Sequence, residues 1–274
     1  MMYRYFTIFI FLCALATVTD AQSFAKADSL FANGSYEQAA VEYERCVYLS
    51  ESRQATRTAL ERKAECFKRL GNYRRAADVM NRYANKYAEL QQLALCRYLD
   101  GSFSDAAFVV DRCEMICDTL GEDMLLLKML ALNEQGLYDS ARTVSRQLVA
   151  HHLAATGEDI SFIIDSIYNK KPHLKSEKLG WYLSLVPGLG HVYAGEYGLG
   201  AVAFLMNAAC LGFGVWQVFE GCYITAYLGG AGLLSVTYPG AMRSATYYIE
   251  KANYERMSAF NEGCKQSVMN ALGL

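Results

Sequence analysis

The sequence predicts an all-α protein in two parts, a solenoid of helical hairpins followed by a transmembrane helical domain. The first part rests on a glycine-aromatic-alanine pattern that returns four times between residues 24 and 151. The second rests on residues 179–242, which hold only two of the 54 charged side chains, Glu196 and Glu220, but 13 of the 21 glycines. Segments so different in composition suit different solvents, water for the first and lipid for the second.

The overall composition excludes two broad classes of protein. The 274 residues carry a net charge of −2, so there is no basic excess for binding nucleic acid. Hydrophobic residues make up 53% and charged residues 20%, which is unlike a disordered chain.

Residues 1–21 have the pattern of a secretory signal peptide. Arg4 precedes an apolar run that ends at Ala16, and we place cleavage after Ala21. The run is shorter than the roughly 20 residues of a spanning helix. An uncleaved membrane anchor is the alternative, and in both cases residue 24 onward is exported.

The repeated pattern has glycine, an aromatic residue two positions later and alanine five positions later, at intervals of 37, 30 and 35 residues. Glycine can adopt the left-handed conformation that ends a helix, and the alanine lets two helices approach closely. Small or apolar residues seven positions before each glycine, Ala27, Ala64, Ala94 and Met129, are the expected contacts on the first helix of each hairpin. We call the following residues the turn motif: Gly34, Tyr36 and Ala39; Gly71, Tyr73 and Ala76; Gly101, Phe103 and Ala106; Gly136, Tyr138 and Ala141.

This pattern resembles the tetratricopeptide repeat family over about residues 22–151, with about four repeats. The resemblance implies a concave groove that binds protein partners. The uneven spacing, Met129 at a normally small position and the lack of a closing proline depart from the family. Another all-α solenoid and a simple solvated face are the alternatives. By the family's pattern, the predicted groove residues are Glu61, Glu65, Lys68, Gln91, Tyr98 and Asn133.

Residues 152–178 are expected to contain a capping helix, over 157–169, and a polar linker. Ile160, Ile163, Ile164 and Ile167 recur at helical spacing, and Pro172 follows the helix.

Residues 179–242 are predicted to hold two full membrane spans and one short or re-entrant segment. The charge-free runs 197–219 and 221–242 are long enough to cross the hydrocarbon layer. Small residues one helical turn apart, such as Ala208 with Gly212 and Ala226 with Gly230, predict close helix packing.

The first apolar run resembles small bacterial membrane domains marked by Pro-Gly-x-Gly-Gln-x-Tyr-x-Gly before a spanning hairpin. His191 stands where that family has glutamine, and the resemblance supplies topology rather than chemistry. As a single histidine, His191 is expected to be a packing residue. We call these residues the glycine motif: Pro187, Gly188, Gly190, His191, Tyr193 and Gly195.

Basic residues flank the apolar region on both sides, which bears on the number of crossings. Three crossings would place the later cluster, with Arg243, Lys251 and Arg256, in the cytoplasm, as the positive-inside tendency favours; two are the alternative. Residues 243–274 are predicted to form an amphipathic tail, with a helix lying at the interface.

No phosphate-binding loop, nucleophile elbow or metalloprotease motif is found, and no metal or cofactor is expected. The cysteines of the exported part fit core packing, although Cys46–Cys66 or Cys96–Cys113 could bridge adjacent helices. The sequence therefore predicts a non-enzymatic adaptor in the bacterial inner membrane whose periplasmic repeats bind a protein partner. A small transporter or envelope assembly factor is the alternative.

Overall fold

The computed structural model describes residues 24–50, 52–117 and 119–273, and in these ranges the ordered elements are all helices, without strands. The predicted signal peptide lies outside the described residues. The chain divides into two compact units, Met1–Asp165 and Ser166–Leu274. We call them the hairpin unit and the apolar unit.

The hairpin unit consists of helices that pack mainly against their neighbours in sequence. The helices are α1 (24–32), α2 (Tyr36–Leu49), α3 (Arg53–Arg69), α4 (Tyr73–Met80), α5 (Tyr87–Leu99), α6 (Phe103–Ile116), α7 (Glu122–Glu134), α8 (Tyr138–Thr156) and α9 (Ser161–Tyr168), whose last three residues belong to the apolar unit.

Four of these helices end in the same hydrogen-bonded turn. Gly34, Gly71, Gly101 and Gly136 have φ between 70° and 79°, the left-handed region. At each site the glycine N–H binds the carbonyl three residues back, and the next N–H binds the carbonyl five residues back, as from Ser35 to Leu30. This is the double bond of a Schellman turn, so the repeated glycines end α1, α3, α5 and α7.

Small residues form the contacts between paired helices. The four turn-motif alanines are fully buried, and so are Ala27, Ala64, Ala94 and Met129. Ala27 and Ala39 share one core cluster with Tyr43 and Cys66, which joins α1, α2 and α3. Buried alanines let helix axes approach, and this explains why the pattern repeats once per hairpin.

The apolar unit contains short helices followed by two long ones. They are α10 (Glu177–Leu183), α11 (Leu189–Ala194), α12 (Tyr197–Phe219), α13 (Tyr223–Thr225), a π-helical segment (Ala226–Gly232) and α14 (Leu233–Ala271).

The helix that begins at Tyr223 continues without a break to Ala271, through the π-helical segment and past Pro239. Residues 243–271 therefore extend the apolar helix, and the predicted tail over 243–274 is helical from its first residue. Proline removes one backbone donor but does not force the helix to end.

The long helices of this unit meet at glycines. A Cβ added to Gly230 would lie 2.5 Å from the Cα of Gly214, and one added to Gly229 would lie 2.6 Å from the Phe213 ring. Gly212, the predicted contact, has nothing within 4 Å. The close approach is thus two residues further along α12 than the small-residue spacing predicts.

One helix in the described residues, α12, is long and apolar enough to cross a membrane, with a mean hydropathy of 1.8 in its most apolar window. The second predicted span is divided among α13, the π-helical segment and the start of α14.

Candidate functional site

Three of the predicted groove residues line one cavity in the hairpin unit. Glu61, Glu65 and Lys68 lie along α3 and face residues of α4, α5 and their connection across a volume of about 320 Å³. The opposite wall is formed by Met80, Tyr83, Ala88, Glu89 and Gln92.

The charges at the α3 side of this cavity are paired. Lys68 Nζ lies 2.6 Å from Glu65 and donates to Gln92 Oε1 at 3.0 Å, while Arg69 binds the other oxygen of Glu65 at 3.0 Å. The hydrogen bond from Lys68 lowers the pKa of Glu65. The carboxylate therefore stays ionised between two cations, and the cavity offers a partner both signs of charge.

Two other carboxylates of the cavity lining, Glu61 and Glu89, share one cation. Arg57 binds Glu89 and also lies 3.2 Å from Glu61. Burial alone would raise the pKa of Glu89, but the N–H groups of Asn85 and Lys86 and the charge of Arg57 lower it overall. Glu89 thus caps the start of α5 and ties α3 to the next hairpin.

The remaining predicted groove residues lie elsewhere. Gln91 donates to Asp123, which links α5 to α7. Tyr98 packs edge-to-face on Phe103 at a ring distance of 5.4 Å. Asn133 is 1% exposed, so the prediction that it points into an open groove is wrong. The helical spacing places these residues on one face of each helix, but it does not predict which face the next hairpin covers.

The structure also shows a larger cavity, of about 1040 Å³, on a different side of α3. Exposed apolar side chains line it, including Val41, Tyr48 and Leu49 from α2. Lys63 and Arg75 both lie 5.9 Å from the Phe67 ring at this site. The repeat pattern does not indicate this cavity, because none of these side chains belongs to the turn motif.

The glycine motif of the apolar unit forms the turns around α11. Gly188 and Gly195 have φ of 93° and 100° and flank the six-residue helix, and Pro187 precedes it. A Cβ on Gly188 would lie 2.3 Å from the carbonyl oxygen of Gly200, so this position also requires glycine for space.

The central residues of the motif pack against α10 and α14. A Cβ on Gly190 would lie 2.0 Å from Ser184 Oγ and 2.8 Å from the Ala245 Cβ. His191 is 2% exposed, and its Nε2 lies 3.1 Å from Ser244 Oγ. The motif therefore brings α10, α11 and α14 into close contact, with His191 as a buried polar residue of this contact.

The predicted polar linker is hydrogen-bonded to α14, and the sequence does not indicate this contact. The Lys175 N–H donates to Asn253 Oδ1 at 2.8 Å, and Asn253 Nδ2 donates to the Lys175 carbonyl at 2.9 Å. Arg256 donates to the His173 carbonyl at 3.0 Å, and Ser176 N–H donates to Tyr193 Oη at 2.9 Å. We call residues 173–176 the clamped segment.

Cys46, Cys66, Cys96 and Cys113 are buried, in agreement with a packing role, and burial raises the pKa of Cys66 to about 11. Within the described ranges no three His, Cys, Asp or Glu side chains are grouped to hold a metal ion.

Comparison with protein-family models, with curated proteins and with solved structures finds no match for this chain.

Proposed function

We propose that this chain is a membrane-anchored, non-enzymatic adaptor whose tetratricopeptide-like repeats bind a protein partner. The observation that carries the anchor is α12. It has 23 residues and no charged side chain, and only 17% of its most apolar window is buried. Exposing Phe204, Leu205 and Trp216 on this helix to water would cost free energy, and lipid is the solvent that suits them.

The binding part of the proposal rests on the cavity between α3 and α5. A groove with ionised Glu65 and Lys68 side by side suits a partner segment that carries both a donor and a carboxylate. Stacked hairpins typically present such surfaces to extended partners. We place the hairpin unit in the periplasm and the apolar unit in the inner membrane, as the signal pattern implies.

The contacts of the clamped segment favour two crossings over three. Lys175 and Asn253 precede and follow the apolar stretch, yet their polar groups bind each other directly. An odd number of crossings would place them on opposite sides of the bilayer. The positive-inside tendency is a bias, whereas a double hydrogen bond is a distance constraint.

The adaptor proposal is tested with the full-length chain, tagged and purified from membranes in mild detergent. We expect wild type to co-purify a protein partner and the Glu65→Lys/Lys68→Glu double variant to lose it by about tenfold, because both charge contacts are reversed. The measurement is quantitative mass spectrometry of the purified complexes.

Arg62→Glu/Arg53→Glu, on the same helix but outside the cavity lining, is the matched control and should retain the partner. Equal recovery with all variants would refute binding in this cavity. Wild-type protein in the high-speed supernatant without detergent would refute the anchor. Rescue of a deletion phenotype by residues 179–274 alone would favour the transporter or assembly-factor alternative.

A further inference from the structure

Two cations from distant parts of the sequence belong to the clamped segment or bind it: Lys175 lies in it and Arg256 donates to its His173 carbonyl. Lys175 also exchanges two hydrogen bonds with Asn253. These contacts bring Lys175 close to Arg256, which lies 81 positions later in the sequence. We call Lys175 and Arg256 the cation pair.

The cation pair binds neutral partners. Lys175 Nζ donates to the Ala194 carbonyl at 2.5 Å and lies 5.8 Å from the Tyr193 ring, while Arg256 donates to the His173 carbonyl. In the part of the chain that the structure describes, neither forms an ion pair. Glu255, the acidic neighbour of Arg256, lies 3.9 Å from Lys251 instead.

Two like charges held near each other repel. Burial lowers the pKa of Lys175, and the positive charge of Arg256 lowers it further. An anion bound by both would reverse this effect. It would use donors without a partner among the described residues, two on the ammonium group and four on the guanidinium group.

The position of the pair relative to aromatic residues points to the kind of anion. Trp181 and Tyr182 are exposed on α10, and Tyr247 and Tyr254 are exposed on α14. Tryptophan and tyrosine concentrate at the headgroup level of a bilayer. Trp181 and Tyr182 lie at the start of the apolar stretch, and Tyr247 and Tyr254 follow its end, so both sets are close to the pair in sequence. The phosphate of a lipid headgroup is the anion found at this level.

We propose that Lys175 and Arg256 bind the headgroup phosphate of an anionic phospholipid. The inference rests on the proposed membrane anchor and assigns that anchor a lipid preference. The clamped segment holds both cations in place, so binding does not require either side chain to be ordered first.

The test uses full-length protein in nanodiscs of phosphatidylcholine mixed with phosphatidylglycerol. Lipids that remain bound after transfer to detergent are counted by native mass spectrometry. We expect wild type to retain phosphatidylglycerol in preference to phosphatidylcholine, and Lys175→Gln/Arg256→Gln to lower this preference about tenfold, for two lost charge-assisted contacts.

The matched control is Lys178→Gln/Lys251→Gln, which removes two exposed cations from the same segments and should change the preference less than about twofold. Lys175→Arg/Arg256→Lys keeps both charges and should retain the preference, which separates charge from folding. An equal loss of lipid preference in the two glutamine variants would overturn the proposal, because the preference would then come from the overall positive charge of the unit and not from the cation pair.

Millimolar inorganic phosphate should leave the retained phosphatidylglycerol unchanged; displacement by phosphate alone would overturn the lipid assignment. Wild type that sediments with membranes but shows no lipid preference refutes this inference and leaves the anchor intact. Wild type that does not sediment with membranes refutes both.

Discussion

Glycine has different roles in the hairpin unit and the apolar unit. Gly34, Gly71 and Gly101 have positive φ, and a Cβ added to any of them would meet no atom within 4 Å. Gly190 and Gly230 have ordinary helical φ, but a Cβ there would overlap neighbouring atoms. The three turn glycines of the first unit are needed for their backbone angle, whereas Gly190 and Gly230 of the second are needed for their small volume. Gly188 combines both requirements.

This difference follows from what holds each unit together. In the hairpin unit, apolar burial in water drives the helices together, and glycine only has to end each helix. If the apolar unit lies in lipid, burying apolar side chains between its helices gains little free energy, because the surrounding lipid is equally apolar. Close backbone packing and hydrogen bonds such as Thr237 to Asn207 then carry more of the association.

The largest expected effect is at Gly190. Gly190→Ala should destabilise the apolar unit by about 3 kcal/mol, because the new methyl group must displace Ser184 and push α11 away from Ala245 on α14. The measurement is thermal unfolding of the full-length protein in detergent. Gly198→Ala, at an ordinary helical position with nothing within 4 Å, is the control and should leave the unit equally or more stable. If Gly190 and Gly198 respond alike, the volume argument fails.

A smaller effect is expected at Gly71 in the hairpin unit. Gly71→Ala should cost about 1 kcal/mol, since alanine is strained at a φ of 70° even in open space. Gly71→Asn should lose less, because asparagine tolerates this conformation better. Chemical denaturation of the same full-length sample, followed by signals from the hairpin unit, measures both. Equal losses for alanine and asparagine would contradict the assignment of the cost to φ.

The smallest expected effect is the loss of the stabilisation by Glu65 at low pH, and it should be confined to the hairpin unit. The pKa of Glu65 is lowered in the fold, so its ionised form stabilises the protein above the unfolded pKa of about 4.3, and this contribution disappears as the pH falls through the folded pKa. Glu65→Gln should cost about 0.5 kcal/mol at pH 7, a modest value for a partly exposed pair.

The cost of Glu65→Gln should vanish near pH 3, as shown by paired denaturation curves at both pH values. A cost independent of pH would indicate lost packing instead. Residues 179–242 hold only Glu196 and Glu220 as carboxylates, so the packing of this stretch should change little over the same interval.

Local patterns in the sequence predict much of the hairpin unit. Its helix ends depend on one residue each, so Gly34, Gly71, Gly101 and Gly136 can be located from spacing alone. The burial of Asn133 and the large cavity beside Tyr48 depend on how neighbouring hairpins cover each helix face. A repeat pattern does not predict this coverage. The signal peptide, the groove partner and the membrane location remain predictions.

The apolar unit departs more from expectation because its decisive contacts are distant in sequence. Asn253 and Lys175 are 78 residues apart, and nothing local to residues 170–178 distinguishes a clamped segment from a free linker. Pro239 is compatible with a continuing helix, so no helix ends at the domain boundary predicted near residue 243, because tertiary context outweighs local propensity.

The double hydrogen bond of Asn253 has a consequence for the order in which the polypeptide is made. The side chain that secures the segment around Lys175 is contributed by α14, 78 residues later in the sequence. During synthesis this segment therefore stays unfastened until residue 253 has been made. A nonsense mutation shortly before codon 253 would leave α12 intact and still release the segment around Lys175.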